Sequence, residues 1–292
     1  MNEFICNLCP RQCNILRTED KHGFCGMTTK IKIARAAPHF DEEPVISGTK
    51  GSGTVFFSGC SLKCRFCQNF DLSHGGFGAE ISVERLREIY FELIEKGVHN
   101  INLVNPTHYA RQILESLEGG LPVPVVWNTG GYERKETIQS LEGKVQVYLP
   151  DFKYIDPVHA KRYSAAEDYF DYASEAIAEM VRQTGPVELD ENGIIRRGTI
   201  IRHLILPGCA EESVRILSYI NEHFPDAWVS LMAQYLPFGK VEGVDELNRR
   251  LTQEEYDLVA DHLYEIGIEN GFIQELSSSD EKYIPKFDLT GI

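Results

Sequence analysis

Three cysteines lie close together in the segment CSLKCRFCQN, and their spacing indicates a shared ligand. Cys60, Cys64 and Cys67, here called the loop cysteines, are separated by three and then two residues, with no fourth cysteine nearby. A helix would turn these side chains toward different faces, so a loop must wrap them around one object. Thiolates select iron–sulfur clusters, zinc or copper(I). Zinc would need a fourth ligand, for which His74 is a candidate, whereas a cubane cluster would keep one iron open.

A second set of cysteines stands near the start of the chain, in CNLCPRQCNILRTEDKHGFCG. Cys6, Cys9, Cys13 and Cys25 form this set, here called the arm cysteines. The C-x2-C pair is typical of metal knuckles, and four thiolates complete a closed site. Such a site fits a structural zinc that staples a short arm, or an auxiliary [4Fe–4S] cluster that relays electrons. The spacing does not separate the two, and zinc is slightly preferred.

The composition narrows the class of protein. With 292 residues, 42% of them hydrophobic, the chain can bury a sizeable core. Its formal net charge of −15 argues against nucleic acid and anionic membranes as partners. No apolar run is long enough to cross a membrane and no signal peptide is seen, so we expect a cytoplasmic protein. In that reducing compartment the eight cysteines are expected to be ligands or catalysts, not disulfides.

The elements that must position the loop cysteines follow from the pattern beyond residue 54. Strand-like runs, beginning with TVFFSGC and ending with AWVSLMAQYLP, alternate with helical patterns, which predicts a parallel sheet with right-handed crossovers. GFIQEL is a further short strand candidate. The predicted fold is α/β, a partial (β/α)6 TIM-like barrel over residues 51–292, with a small N-terminal cysteine-rich metal-binding appendage and linker over residues 1–50. A Rossmann-like sheet is the competitor, but no glycine-rich dinucleotide turn follows a strand.

Polar residues stand at the carboxyl end of every predicted strand, where the chemistry of such folds is placed. These strand-end candidates are Cys60, Asn105, Thr107, His108, Asn128, Thr129, Asp151, Lys153, His203 and Gln234. A purely structural sheet need not place a polar group at each strand end, so the set indicates a functional site.

The cysteine pattern C-x3-C-x2-C, with the aromatic Phe66 before the last cysteine, resembles that of the radical S-adenosylmethionine (SAM) superfamily. The segments GSGTVFFSGCSLKCRFCQN, NPTHY, DFKY, RHLILPG and MAQYLP together resemble the pyruvate formate-lyase activating-enzyme-like family over nearly the whole chain. The resemblance implies that the loop cysteines hold a [4Fe–4S] cluster whose fourth iron is chelated by SAM. It further implies that one electron cleaves SAM to methionine and a 5′-deoxyadenosyl radical, which abstracts a hydrogen atom.

The same resemblance assigns roles to several residues. Phe66 is expected near the adenine of SAM, and Asp151 with Lys153 matches a D-x-K motif that lies beside the SAM methionyl group. Asn128 and Thr129 belong to a strand-end segment that touches SAM in relatives. From their strand-end positions, and not from the resemblance, His203 is expected to face the pocket and Gln234 to reach the adenosine of SAM or the substrate.

Two features depart from the family pattern. The Gly-Gly-Glu that supports the SAM amino group is missing, and VNPTHY stands in its place. Asn105, Thr107 and His108 are therefore expected to take over by hydrogen bonding. The activase of pyruvate formate-lyase itself has no cysteine-rich N-terminus, whereas this chain carries one.

Three functions remain open from the sequence. The first is a radical SAM oxidoreductase that activates a glycyl radical enzyme, a protein substrate, with an electron donor such as flavodoxin or ferredoxin. The second keeps the radical chemistry but acts on a peptide or a small molecule. The third is a non-catalytic, metal-stapled binding or electron-transfer module, in which the loop cysteines would hold zinc.

Overall fold

The protein is described by a computed structural model that covers residues 3–279 and 286–292. A short antiparallel hairpin, β1 (Phe4–Ile5) with β2 (Leu16–Arg17), forms the arm. The remaining ten strands form one sheet. They are β3 (Ile31–His39), β4 (Ser52–Phe57), β5 (Ala79–Ile81), β6 (Ile101–Val104), β7 (Val125–Thr129), β8 (Val147–Pro150), β9 (Glu188–Leu189), β10 (Ile195–Leu204), β11 (Trp228–Met232) and β12 (Gly271–Ile273).

The order of the sheet is β12-β11-β10-β8-β7-β6-β4-β3-β5, and β9 pairs with β10. The ladders that join β12, β11, β10, β8, β7, β6 and β4 are all parallel. The strand β9 runs antiparallel to β10, and β3 runs antiparallel to both β4 and β5. The predicted α/β class with a parallel sheet is confirmed, and the architecture is consistent with a partial barrel. The short run GFIQEL supplies the last parallel strand, β12.

Nine α-helices are present in the described part of the chain. They are α1 (Pro44–Ser47), α2 (Phe70–Ser73), α3 (Val83–Glu95), α4 (Ala110–Ser116), α5 (Lys135–Gln139), α6 (Pro157–Ser164), α7 (Tyr169–Thr184), α8 (Ala210–His223) and α9 (Gln253–Glu265). Helix α3 shows why the helical predictions succeed. The Ser82 hydroxyl accepts from the Arg85 N–H at 3.1 Å, and Leu86, Ile89 and Leu93 are buried on one face. No helix in residues 3–279 or 286–292 is both long enough and apolar enough to cross a membrane.

The sheet is buried on both faces, as parallel sheets are. Alternate residues of each strand point to the helix layer or to the interior. On the interior side, Val126, Leu149 and Ile200 pack against Val45 and Ile46 of α1. Helix α1 therefore closes the interior near the amino ends of the strands.

The segment between the arm and the barrel differs from the expected linker. Residues 31–39 form β3, which lies in the sheet between β4 and the edge strand β5, with Ala36 opposite Val55 of β4. A register shift between Ile33 and Arg35 interrupts the alternation of buried and exposed residues, which hid this strand from pattern analysis. The arm that stands apart from the barrel sheet therefore ends near residue 30, whereas the sequence placed that boundary at residue 50.

Candidate functional site

The loop cysteines follow β4, a six-residue strand that is buried along its whole length. The turn into the loop depends on Gly59, whose φ is +85°, and Lys63 within the loop also has a left-handed φ of 57°. A side chain at Gly59 is excluded, because its Cβ would lie 2.3 Å from Met27 Cγ and 2.9 Å from the carbonyl oxygen of Cys25. The loop is thus shaped by left-handed backbone conformations at Gly59 and Lys63 and by close packing at Gly59.

All three loop cysteines line one cavity of about 790 Å³ on the inner face of the sheet. Two of their sulfur atoms accept hydrogen bonds. The Leu62 N–H donates to Cys60 Sγ at 3.3 Å, and the Ser164 hydroxyl donates to Cys64 Sγ at 3.0 Å. Such donors stabilise the thiolate form that a metal requires. The cavity also gathers further residues expected from the sequence, namely Phe66, Asn105, Asn128, Thr129, Asp151, Lys153 and Gln234.

An ion pair lies in this cavity. Lys153 Nζ is 2.5 Å from Asp151 Oδ2, and both side chains are largely buried. Burial opposes the charged amine, but the Asp151 carboxylate outweighs it, so the pKa of Lys153 is raised. The Tyr169 hydroxyl fixes the backbone of the pair, donating to the Asp151 carbonyl at 2.8 Å and accepting from the Lys153 N–H at 3.0 Å. The pair offers one anion and one cation to a zwitterionic ligand.

A second charged group forms the floor of the cavity, where Arg202 meets Glu42 and Glu43. The Arg202 guanidinium donates to Glu43 at 2.8 and 2.6 Å and also contacts Glu42. The Asn102 amide donates to Glu42 at 3.0 Å. Burial opposes the charged form of Glu43, yet the adjacent Arg202 holds its pKa below the usual range. Two carboxylates and one guanidinium leave this floor with a net negative charge.

Three expected cofactor contacts do not line the cavity. They are Thr107, His108 and His203. His203 lies between the Phe152 carbonyl oxygen, 2.7 Å from Nδ1, and the Ser213 hydroxyl, 2.8 Å from Nε2, on the helix side of β10. His108 Nε2 lies 2.6 Å from the Ser58 carbonyl oxygen, which precedes the cysteine loop. These side chains position the surrounding backbone from behind the sheet.

Glu133 is a buried carboxylate that sequence analysis missed. It accepts hydrogen bonds from the hydroxyls of Thr107 and Thr129 and so ties two strand ends together. Burial raises the pKa of Glu133 to about 7. The one sequence signal for it is an acidic residue directly after the turn TGGY, at a carboxyl strand end.

His74 does not complete a compact metal site with the loop cysteines. Its ring stacks on Phe70 with centroids 4.1 Å apart, and Nδ1 lies 2.9 Å from the Ser73 hydroxyl. In residues 3–279 and 286–292, three or more potential Cys, His, Asp or Glu ligand atoms lie within 4.8 Å of one another only outside the cavity. That group is His159, Cys209 and Glu212.

The arm cysteines are held by the hairpin and the turns that follow it. Cys6 pairs with the opposite strand, accepting from the Asn14 N–H at 2.9 Å and donating to the Ile15 carbonyl at 2.9 Å. The Phe24 N–H donates to Cys13 Sγ at 3.3 Å. Three of the four thiols are buried and that of Cys13 is half-buried. The structure therefore shields all four in one small arm.

Comparisons with solved structures give weak similarity. Methylornithine synthase (PylB) is 16% identical with a TM-score of 0.48, over 70% of this chain, which spans 59% of that chain. A domain of pyruvate-formate lyase-activating enzyme from Bacteroides vulgatus is 14% identical with a TM-score of 0.38, covering 66% of this chain and 91% of that one. No protein-family model matches the chain.

Similarity to a curated sequence is stronger. The uncharacterized protein MJ0674 of Methanocaldococcus jannaschii is 32% identical over 264 residues. The match covers 86% of this chain and 72% of that protein. This chain therefore belongs to the family of the uncharacterized protein MJ0674.

Proposed function

We propose that this protein is a radical SAM enzyme of the pyruvate formate-lyase activating-enzyme-like family. The loop cysteines would hold a [4Fe–4S] cluster, and SAM would occupy the adjoining cavity. The observation that carries the proposal is the convergence of three thiols on one cavity of about 790 Å³ that also contains the Asp151–Lys153 pair. Three thiolates with an open cavity beside them suit a metal centre that keeps one coordination position for a ligand.

The three loop sulfur atoms are more widely spread than the ligands of a single tetrahedral zinc ion. A zinc–sulfur distance of about 2.3 Å places tetrahedral sulfur ligands roughly 3.8 Å apart. The three loop sulfurs include at least one pair more than 4.8 Å apart. The zinc-loaded, non-catalytic module is therefore disfavoured at this site.

When bound, the reduced cluster supplies the electron that cleaves SAM to methionine and a 5′-deoxyadenosyl radical, which abstracts a hydrogen atom. The chain contributes binding and orientation. Asp151 would meet a cationic group of SAM and Lys153 its carboxylate, since the two charges already lie side by side in the cavity. Phe66, buried beside Tyr235 at a ring distance of 6.0 Å, would pack against the adenine. Asn105 stabilises the start of the cysteine loop, because its side-chain amide donates to the Gly59 carbonyl oxygen.

For the substrate we propose a glycyl radical enzyme, since the sequence motifs resemble those of activases. A second class, a small polar molecule or peptide, is favoured by the charged floor of the cavity. Arg202, Glu42 and Glu43 are buried there at the cost of desolvation, and such groups are suited to orienting a polar substrate. Paramagnetic resonance of a candidate glycyl radical partner, incubated with reduced protein and SAM, separates the two classes.

We also propose a flavodoxin or ferredoxin as electron donor, in the cytoplasm. Support comes from a basic patch beside the cysteine loop on a chain of net charge −15. Arg65 and Lys240 are both exposed and adjacent, because the Lys240 N–H donates to the Arg65 carbonyl at 2.7 Å. Lys63 stands close by, since it and Lys240 both act with burial to lower the pKa of His74. Acidic electron carriers are complementary to such a patch.

The test of the proposed function is anaerobic reconstitution with iron and sulfide, followed by dithionite and SAM. The wild-type protein is expected to release 5′-deoxyadenosine, and Cys64→Ala to release none. A reconstituted wild-type protein that contains about four irons at the loop cysteines and still leaves SAM intact would overturn the proposal.

A further inference from the structure

We propose that the arm cysteines hold a redox-active iron–sulfur cluster, where sequence analysis slightly preferred structural zinc. We further propose that this cluster passes electrons to the centre at the loop cysteines. The second step rests on the proposed function, whereas the first stands on the arm alone.

The four arm thiols lie near one another. Cys13 Sγ packs against Gly23, two residues before Cys25, because a Cβ placed on Gly23 would lie 2.9 Å from this sulfur. Cys25 in turn is near enough to Cys6 and Cys13 for their charges to interact. Cys9 is likewise within electrostatic reach of Cys6 and Cys25. A hairpin and two turns thus bring together residues that are up to nineteen positions apart in the chain.

Arg17 gives an independent sign that the arm site carries negative charge. Its side chain is 0% exposed, and its guanidinium donates to the carbonyl oxygens of Thr28, at 2.9 and 2.6 Å, and of His108, at 2.5 Å. In residues 3–279 and 286–292 no carboxylate lies within 4.0 Å of it. Its Nη1 is 4.0 Å from Cys6 Sγ. A buried cation needs a counter-charge, and the thiols supply one as metal-bound thiolates.

The sulfur atoms of the arm are more widely spread than a single tetrahedral zinc ion would hold them. Tetrahedral zinc would hold all four sulfurs roughly 3.8 Å apart. In this arm, any three of the four include a pair more than 4.8 Å apart, as is also true of the loop cysteines. Four thiolates are the ligand set of cubane iron–sulfur clusters. The arm therefore shares both ligand type and wide spacing with the site proposed to bind iron.

The arm site touches the loop site directly. Arg11, which lies between Cys9 and Cys13, donates from Nε to the Ser61 carbonyl oxygen at 2.8 Å. On the other side, the Cys25 carbonyl oxygen packs against Gly59, next to Cys60. Protein atoms in contact thus connect the two sites. Zinc has no redox chemistry. Electrons could therefore pass from the arm to the loop cysteines only if the arm held a redox-active group such as an iron–sulfur cluster.

The electron balance of the relay is simple. A protein donor of the flavodoxin or ferredoxin class would lose one electron to a cluster at the arm cysteines. That cluster would pass the electron to the one at the loop cysteines and return to its oxidised state. SAM cleavage at the loop site would consume the electron.

The first test removes the loop site by changing Cys60, Cys64 and Cys67 to Ala together. After anaerobic reconstitution we expect about four irons and four sulfides per chain, and a paramagnetic signal on reduction with dithionite. One zinc per chain with no iron would overturn the proposal. This readout needs no SAM chemistry, so it stands apart from failure of the proposed function.

The second test addresses the relay in the wild-type holoprotein. With both clusters reduced, paramagnetic resonance is expected to show broadening from coupling between two nearby spins. The matched control is the triple loop variant, whose single signal must lack that broadening. Two signals that add without interaction would overturn the relay.

Discussion

The Lys153 ammonium lies 2.5 Å from the Asp151 carboxylate, within the cavity that the loop cysteines share. The pair is held by Tyr169 from behind, so both charges are fixed before any ligand arrives. A preorganised pair of this kind binds a zwitterion with little loss of side-chain freedom.

Removing the Lys153 charge tests this role. Lys153→Gln is expected to weaken SAM binding about thirtyfold or more, because truncating one member of a buried charge pair costs at least about 2 kcal/mol. Equilibrium binding of SAM to the reconstituted protein measures the effect. The matched control is Lys161→Gln, which breaks an exposed pair with Glu167 and should change nothing. Equal SAM affinity of the Lys153→Gln and Lys161→Gln variants would show that the Asp151–Lys153 pair does not bind SAM.

Gly59 is expected to be indispensable for the metal loop. Gly59→Ala would push a methyl group into Met27 and the Cys25 carbonyl, so we predict strong loss of iron after reconstitution. Gly97→Ala is the control, since its φ is also +85° but nothing lies within 4 Å of its Cβ position. That variant should lose about 1 kcal/mol of stability and keep its iron. Full iron content in the Gly59 variant would contradict the packing described here.

The raised pKa of Glu133 is expected to make the free energy of unfolding depend on pH. Burial raises its pKa from an ordinary 4.5 to about 7, so between these values the folded state holds a proton that the unfolded state releases. Stability therefore falls as pH rises through this window, by up to about 3 kcal/mol above pH 7. Glu133→Gln should remove that fall. Denaturant unfolding of both proteins at pH 5 and pH 8 measures it, and parallel pH profiles would show that Glu133 is not the group.

Reversing one charge of the basic patch is expected to slow the reduction of this protein by a protein electron donor. Lys240→Glu should lower the rate of reduction by flavodoxin or ferredoxin about tenfold at low salt, because steering depends on charge complementarity. Reduction by dithionite, which needs no docking, should be unchanged. Lys144→Glu is the control, since Lys144 is exposed just before β8, at the amino ends of the parallel strands, whereas the cysteine loop follows their carboxyl ends. Rates that fall equally in both variants would point to net charge and not to a patch.

The helices and parallel strands could be predicted because their signals are local. Helix α3 runs from its Ser82 cap to just before Gly97, as the periodicity indicates. The faces of β10 could not be predicted, because a strand buried on both sides is apolar on both. Arg202 therefore lines the cavity and His203 faces the helices, although the sequence shows two adjacent polar residues.

The charged residues at the floor of the cavity could not be predicted from the sequence, for a different reason. Glu42 and Glu43 stand in a segment that reads as linker, and their partner Arg202 lies about 160 positions later in the chain. Burial of such a pair depends on tertiary contacts, which no local pattern reports. The loop cysteines, in contrast, could be recognised as one site from their spacing in the sequence.

The most direct test of the central claim is paramagnetic resonance of the reduced, reconstituted protein before and after SAM is added. If SAM occupies the open iron beside the loop cysteines, the cluster signal must shift on addition of SAM, and Cys67→Ala must lack that response. A loop-site signal that is identical with and without saturating SAM would contradict the account.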